Sequence, residues 1–258
     1  MWNDIVDLRD FYDRSLGQVA QRLIRQRLRL LWPAVRGDNV LGLGYATPFL
    51  RPFMEEAERV IAMMPAAQGV LRWPGPHRID GKRNRVALVD EAALPLPDRS
   101  MDRVLLVHAL ECTEQMRPML REIWRVLADG GRLIVIAPNR TGLWAQLERT
   151  PFGTGHTYSA NQLSRLLRNT MFTPMQETRA LYVPPVNSRM VLRAAPAIER
   201  LGQRWLPRLA GVVMVEASKQ LYAATGLIPA DPKPVRAKLR VIGPSAARGE
   251  PTHSSHLE

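Results

Sequence analysis

From Asn39 to Pro138 short apolar runs of strand length alternate with helical stretches, and no other feature constrains the fold as tightly. Such alternation predicts a mostly parallel sheet with helices on both faces. "NVLGL" reads as the first strand. A helix follows, with Thr47 as its cap and Pro48 in its first turn, and Phe49, Phe53, Ala57, Val60 and Met64 line one face of it. Further strands are expected at Gly69 to Trp73, Arg85 to Val89, Asp102 to His108 and Arg132 to Pro138, the last preceded by the helix of "MLREIWRVL" and the turn Asp129-Gly130-Gly131. Ser159 and Gln162 form a capping-box pattern for the helix "ANQLSRLLRN". "TRALYV" and "GVVMVEASKQLY" suit two late strands, with a helix from Ala195 to Trp205 between them.

The flanks read differently. Residues 1–36 hold Leu8, Tyr12, Leu16, Val19 and Leu23 at helical spacing, with Arg22, Arg25, Arg27 and Arg29 in the later turns and a break expected near Gly17. That pattern fits a helix packed on the sheet, and equally one lying on a membrane surface or a partner. Residues 37–226 form the expected central domain. Residues 227–258, rich in proline and small residues, read as a flexible basic tail. Formal net charge is +12 over 258 residues, most of it from scattered arginine. That balance suits a solvated basic surface, an acidic partner or an anionic membrane better than a nucleic-acid footprint. One cysteine cannot form an internal disulfide, the first residues lack a secretion signal, and no apolar run approaches membrane-spanning length, so the expectation is a cytoplasmic protein.

The glycine turn "VLGLGYATP" (Val40 to Pro48) sits where open parallel sheets bind ligands, at the carboxyl end of the first strand. A dinucleotide fingerprint fails: counting from Gly42 the sixth position is Thr47, and no acidic residue ends the second expected strand. The phosphate-loop pattern is missing too, as is any His or Cys cluster with metal spacing.

"VLGLGYATP", "LVDEAALPLPDRSMDRVLLVHALE" and "LREIWRVLADGGRLIVIAPNR", in that order and spacing, resemble the class I S-adenosylmethionine-dependent methyltransferases, in particular the methyltransferase type 11-like group. The resemblance implies an α/β, Rossmann-like fold with a seven-stranded, mostly parallel sheet whose last two strands pair as a hairpin. It also implies S-adenosylmethionine as cofactor. Gly42, Gly44, Tyr45 and Ala46 would form the turn facing its methionine part, and Asp90 would accept a hydrogen bond from its adenine. Glu91, Ala92 and Leu94 would border that ring, while His108 would open onto the reacting methyl group.

This chain departs from the family at Gly42, where an acid is usual, at Ala46, where glycine is usual, and at Arg72 and Trp73, taken as the end of strand two, where an acid is usual. Each lost carboxylate removes a charge-assisted hydrogen bond worth roughly 1.5 to 3 kcal/mol. Tyr45 and Trp73 offer partial compensation through cation-π attraction to a sulfonium. Two functions therefore stand side by side: a methyltransferase acting on a small-molecule, lipid-like or protein acceptor, and a catalytically degenerate relative serving as a binding or scaffold module.

Methyl transfer needs alignment above all, and a base where the acceptor must shed a proton. His108, His156 and Tyr158 are the candidate catalytic residues, the last two in the loop "GTGHTYS"; a hydrogen-bonded core histidine and a structural turn are the plain alternatives. Arg140 and Trp144 are available to touch an acidic or apolar acceptor, with an exposed arginine and a packing tryptophan as the plain alternatives. The run His108-Ala109-Leu110-Glu111 lacks the Asn/Asp and prolines usual in enzymes that methylate base amino groups, which argues against that substrate class.

Overall fold

The computed structural model describes residues 3–75 and 84–220. Two helices come first: α1 (Ile5–Asp13), capped by Asp4, whose carboxylate accepts from Val6 N, and α2 (Ser15–Leu31). The break between them falls at the extended Arg14, three residues before Gly17. Gly17 matters for packing instead. A Cβ there would sit 2.0 Å from the carbonyl oxygen of Phe11, so its bareness lets the two helices cross closely.

Then follow β1 (Asn39–Gly44), a single helical turn α3 (Thr47–Leu50), β2 (Arg59–Pro65), β3 (Val86–Val89), β4 (Met101–Val107), α4 (Met116–Val126) and β5 (Leu127–Pro138). The remainder is α5 (Ala160–Asn169), β6 (Phe172–Ala180), α6 (Arg189–Trp205) and β7 (Val212–Lys219). The seven strands lie in the order β3-β2-β1-β4-β5-β7-β6, parallel except for β7, which runs antiparallel to both β5 and β6. Strand order reverses between β1 and β4, so the crevice at their carboxyl ends is where such a sheet receives a ligand. On one face the sheet is covered by α1, α2, α3 and α6, on the other by α4 and α5.

Several expected elements shift. The helix from Thr47 lasts one turn, because Pro52 has no N–H to continue the ladder. Val60 and Met64, spaced four apart, are instead same-face residues of β2, whose alternation pairs Asn39 with Arg59 through Leu43 with Met63. The stretch Gly69 to Trp73 is therefore not a strand, and strand two ends at Met64-Pro65 rather than at Arg72-Trp73. No acid stands at that end either. β6 begins at Phe172, ahead of "TRALYV", and stops at Ala180; β7 ends at Lys219; α6 starts six residues before Ala195. The capping box at Ser159 and Gln162 forms in both directions. The tail reading of residues 227–258 lies outside the described residues. Among the described residues no helix is long and apolar enough to cross a membrane.

Candidate functional site

At the switch point the backbone makes the turn that the glycines anticipate. Gly44 has φ +83°, and a Cβ there would lie 2.3 Å from the carbonyl oxygen of Val107, so the β1 turn and the end of β4 touch through bare backbone. Ala46 N–H closes back onto the Gly44 carbonyl at 2.9 Å. Gly42 is a packing position: a Cβ would come within 2.6 Å of Ala46 Cβ and of Leu50 Cδ1. The space that an acidic side chain at 42 and a bare glycine at 46 would share is thus filled from 46 and 50. Ala46 itself has φ −86°, a conformation that needs no glycine.

His108, the first residue past β4, lies in the left-handed region, φ +50°, an uncommon conformation for a residue with a side chain. It is buried, and so is Glu111 three residues on, whose Oε1 lies 3.1 Å from His108 Nδ1. The other ring nitrogen, Nε2, is 2.7 Å from the phenol oxygen of Tyr12, on α1. Burial first, then the nearby Tyr45 and Glu111, pushes the Tyr12 phenol well above its ordinary value. With the phenol as donor to Nε2, the tautomer that satisfies both contacts is the one whose Nδ1 proton faces Glu111. Tyr12, His108 and Glu111 form a buried proton chain across the crevice.

Aromatic rings enclose this chain. Tyr12 stacks on Tyr45 of the glycine turn at 5.7 Å and meets Phe49 edge-on at 5.6 Å, while His108 lies 5.0 Å from Phe152. α1 and the residue before its cap are tied over the strand ends at two further points, one of them relayed through Gln68 to His108. Ile5 N–H donates to the Gln68 carbonyl, Gln68 Nε2 donates to the His108 carbonyl, and Asn3 accepts from the Thr154 hydroxyl. Phe11 packs edge-on against Trp144 and Phe152. Three buried polar atoms in and beside this region, Gln68 Oε1, Glu111 Oε2 and Trp73 Nε1, have no hydrogen-bond partner among the described residues.

The other sequence candidates separate. Asp90 is exposed at the end of β3, with one carboxylate oxygen accepting from Ala92 N–H at 2.8 Å. Glu91 is buried and accepts from the Thr113 hydroxyl; Leu94 is buried, its N–H held by Glu122. Trp73 borders two cavities with Tyr45, one of about 650 Å³ that also meets Arg9, Arg51 and Arg72. Neither cavity reaches Asp90 or His108. The loop "GTGHTYS" packs on the backbone of Glu111: a Cβ on Gly155 would lie 2.4 Å from the Glu111 carbonyl oxygen, which accepts from His156 N–H. The His156 side chain is exposed. Tyr158 is buried with its hydroxyl toward Met116 Sδ, and burial raises its phenol to about 12. Trp144 is a packing residue whose indole N–H donates to the Val183 carbonyl, and Arg140 is exposed.

Residues 41–135 match the family model described as a methyltransferase domain. Together with a seven-stranded sheet of this order, that match identifies the domain. The chain carries a class I S-adenosylmethionine-dependent methyltransferase domain. Demethylmenaquinone methyltransferase of Thermobifida fusca is 30% identical over 138 residues, 52% of this chain and 58% of that protein. Its counterpart from Corynebacterium efficiens is 29% identical over 137 residues, 52% and 56% respectively. The chain thus spans a little over half the length of these relatives. Among solved structures, a methyltransferase of Thermotoga maritima described as a possible histamine N-methyltransferase aligns with TM-score 0.58 at 18% identity, covering 82% of this chain and 94% of that one. One from Archaeoglobus fulgidus aligns with TM-score 0.54 at 19% identity, covering 77% and 94%. At such identities the likeness is one of fold.

The family's cofactor would meet suitable groups at its two ends and a filled crevice between them. The bare-backbone turn at Gly44 and the exposed Asp90 suit its carboxylate and purine ends. The Tyr12 ring packs against both Tyr45, at 5.7 Å, and His108, at 5.8 Å, and so fills the space over the strand ends where the sulfonium centre would have to sit. Two residues of this site, Tyr12 and Glu111, escaped the sequence reading. Tyr12 belongs to an apolar stripe with helical spacing, which looks the same whether a helix covers a core or a crevice. Glu111 did carry a signal, three residues after a histidine that ends a strand.

Proposed function

We propose that this chain is an S-adenosylmethionine-dependent methyltransferase for a hydroxylated aromatic acceptor of the quinol type, in a closed state in which Tyr12 takes the acceptor's place. The observation that carries the reading is the Tyr12 phenol, 2.7 Å from His108 Nε2 and enclosed by Tyr45, Phe49 and His108 itself. A phenol is a hydroxylated aromatic ring, and its seat is the chemical template for a ligand of the same kind. The names of the two demethylmenaquinone methyltransferases support that substrate class.

The cofactor would supply an electrophilic methyl group; the remaining work falls to the chain. His108 Nε2 would accept the acceptor's hydroxyl proton as its ring becomes nucleophilic, and would return it to that oxygen as the methylated ring carbon releases its own hydrogen as a proton to solvent on reopening. The imidazolium so formed keeps its Nδ1 proton on Glu111, whose buried charge stabilises it. The aromatic walls hold the acceptor's plane and exclude water. For any of this α1 must lift, taking Tyr12 with it.

Tyr12→Ala empties the seat. We expect the variant to bind S-adenosylhomocysteine at least tenfold more tightly than the unaltered chain in calorimetric titration, and to methylate reduced demethylmenaquinone faster. A matching thermal melt establishes that it is folded. A second reading, a non-catalytic scaffold, is favoured by Met64-Pro65 at the end of β2 and by the packing of Leu50 beside Gly42. It takes over if a folded Tyr12→Ala variant gives no heat with millimolar S-adenosylhomocysteine.

A further inference from the structure

α6 is packed on its inner side and left bare on its outer one. Inside, Gly202 lies so close to Tyr182 that a Cβ would be 2.4 Å from its Cβ, and Glu199 is buried, accepting from the N–H groups of Leu181 and Tyr182. Outside, Met190, Ala194, Ala197, Leu201 and Trp205 recur at helical spacing, within an arc of about 80°. Met190 is 80% exposed, Leu201 60% and Trp205 70%. Lone exposed apolar residues need no explanation, but a row of them along a 17-residue helix does. The row continues past the helix end with the exposed Leu206 and Leu209.

Charge on this face has one sign. Arg189, Arg193, Arg200 and Arg204 are all exposed and fall along one border of the apolar row, and exposed Arg208 follows the helix. The Arg204 guanidinium lies 5.6 Å from the centre of the Trp205 ring. Glu199 is the helix's one acid, and it faces inward. We propose that α6 is a membrane-docking helix that lies in the plane of an anionic lipid surface, its Met190-to-Trp205 row among the acyl chains and its arginines on the headgroup phosphates.

The chemistry selects this occupant. An apolar row bordered lengthwise by cations matches a surface that is apolar below and anionic above, and arginine stems add apolar length to the row. A second copy docking the same face would bring two arginine borders together with no carboxylate between them. Residues 222–258 of the chain hold five Lys and Arg against three Asp and Glu, so charge does not favour that segment either. The sequence alone offers the C-terminal basic tail and the N-terminal helix for membrane contact, and of the two the N-terminal helix lies among the described residues. There, however, Leu16, Leu23 and Leu28 are buried, Arg25 donates to the Pro48 carbonyl and Arg29 pairs with Glu56. The inference does not depend on the acceptor.

Co-sedimentation of the full chain with vesicles tests it. With phosphatidylcholine containing about one-third phosphatidylglycerol the chain should pellet in 0.1 M salt, at least tenfold more than with phosphatidylcholine alone, and high salt should release it (expected from screening). Leu201→Ser/Trp205→Ser, with an unchanged melting temperature, should lose at least tenfold in partitioning. Arg36→Gln/Arg117→Gln, which removes the same net charge elsewhere as two α6 arginines would, should lose far less. Absence of pelleting overturns the proposal, as does equal loss in the two double variants, which would assign binding to diffuse charge. A dimer in sedimentation equilibrium that Leu201→Ser/Trp205→Ser dissolves would give the face to a second copy instead.

Discussion

His108 is the residue on which the site turns. Its left-handed backbone brings the chain round at the end of β4 so that the imidazole faces α1 with one nitrogen and Glu111 with the other. Strain of this kind costs of order 1–3 kcal/mol and persists where the surroundings impose it. Here Gln68 holds the His108 carbonyl and the Gly44 turn presses on the neighbouring Val107. In the proposed reaction Glu111 is a positioning residue, which would act on an acceptor only through the imidazole that it contacts. Glu111→Gln keeps the shape but removes the charge that favours imidazolium. Expected is a fall in kcat of roughly 10²-fold, the low end of what general acid–base groups contribute, with affinity for S-adenosylhomocysteine unchanged. Steady-state kinetics beside calorimetry separates the two, and a variant that loses cofactor affinity and kcat together would make Glu111 a merely structural residue.

At the scale of elements the decisive piece is α1. It is nine residues long, too short to be stable alone in water, and its position over the crevice rests on Leu8, Phe11 and Tyr12 and on a few polar ties. Such an element opens at lower free energy than central strands do. Hydrogen exchange should therefore show α1 amides less protected than those of β1 and β4. Addition of S-adenosylhomocysteine should speed exchange in α1, because a ligand that binds only the open form shifts the population toward it. Ligand binding with unchanged or slowed α1 exchange would contradict the closed-state reading. Much of this architecture was legible beforehand. β1, β4, β5 and the α5 cap follow from apolar runs and capping chemistry that are local. The second strand was not, since Phe49, Phe53, Ala57, Val60 and Met64 satisfy helical spacing across a proline. Only the pairing of Asn39 with Arg59 distinguishes the two solutions, and pairing is a long-range fact. For the same reason Asp90, Gly44 and His108 were legible as motif positions, whereas Tyr12 lies 96 residues from the histidine that it meets.

For the molecule as a whole the buried hydroxyls and thiol set an alkaline limit. Burial raises Tyr45 from 10.0 to about 12, Tyr158 likewise, and Cys112 from 9.0 to about 12, and it takes Tyr12 upward as well. Groups whose folded value is raised contribute stability that is fully present below the unfolded value. Between the unfolded and folded values the unfolded chain has released its protons and the folded one has not, so stability falls as pH rises. The window here runs from about pH 9, where an unfolded thiol ionises, to about pH 12. Net charge does not obscure the effect, because only four of the 36 basic residues are lysines and arginine keeps its proton throughout. Urea unfolding midpoints should hold level from pH 7 to 9 and then decline steadily to pH 11.5. Tyr45→Phe should flatten part of that decline, since it removes one of the raised phenols while keeping the ring that stacks on Tyr12. A midpoint level to pH 11.5, with phenol absorbance titrating near 10, would mean that these side chains are open to water and that α1 does not seal the crevice.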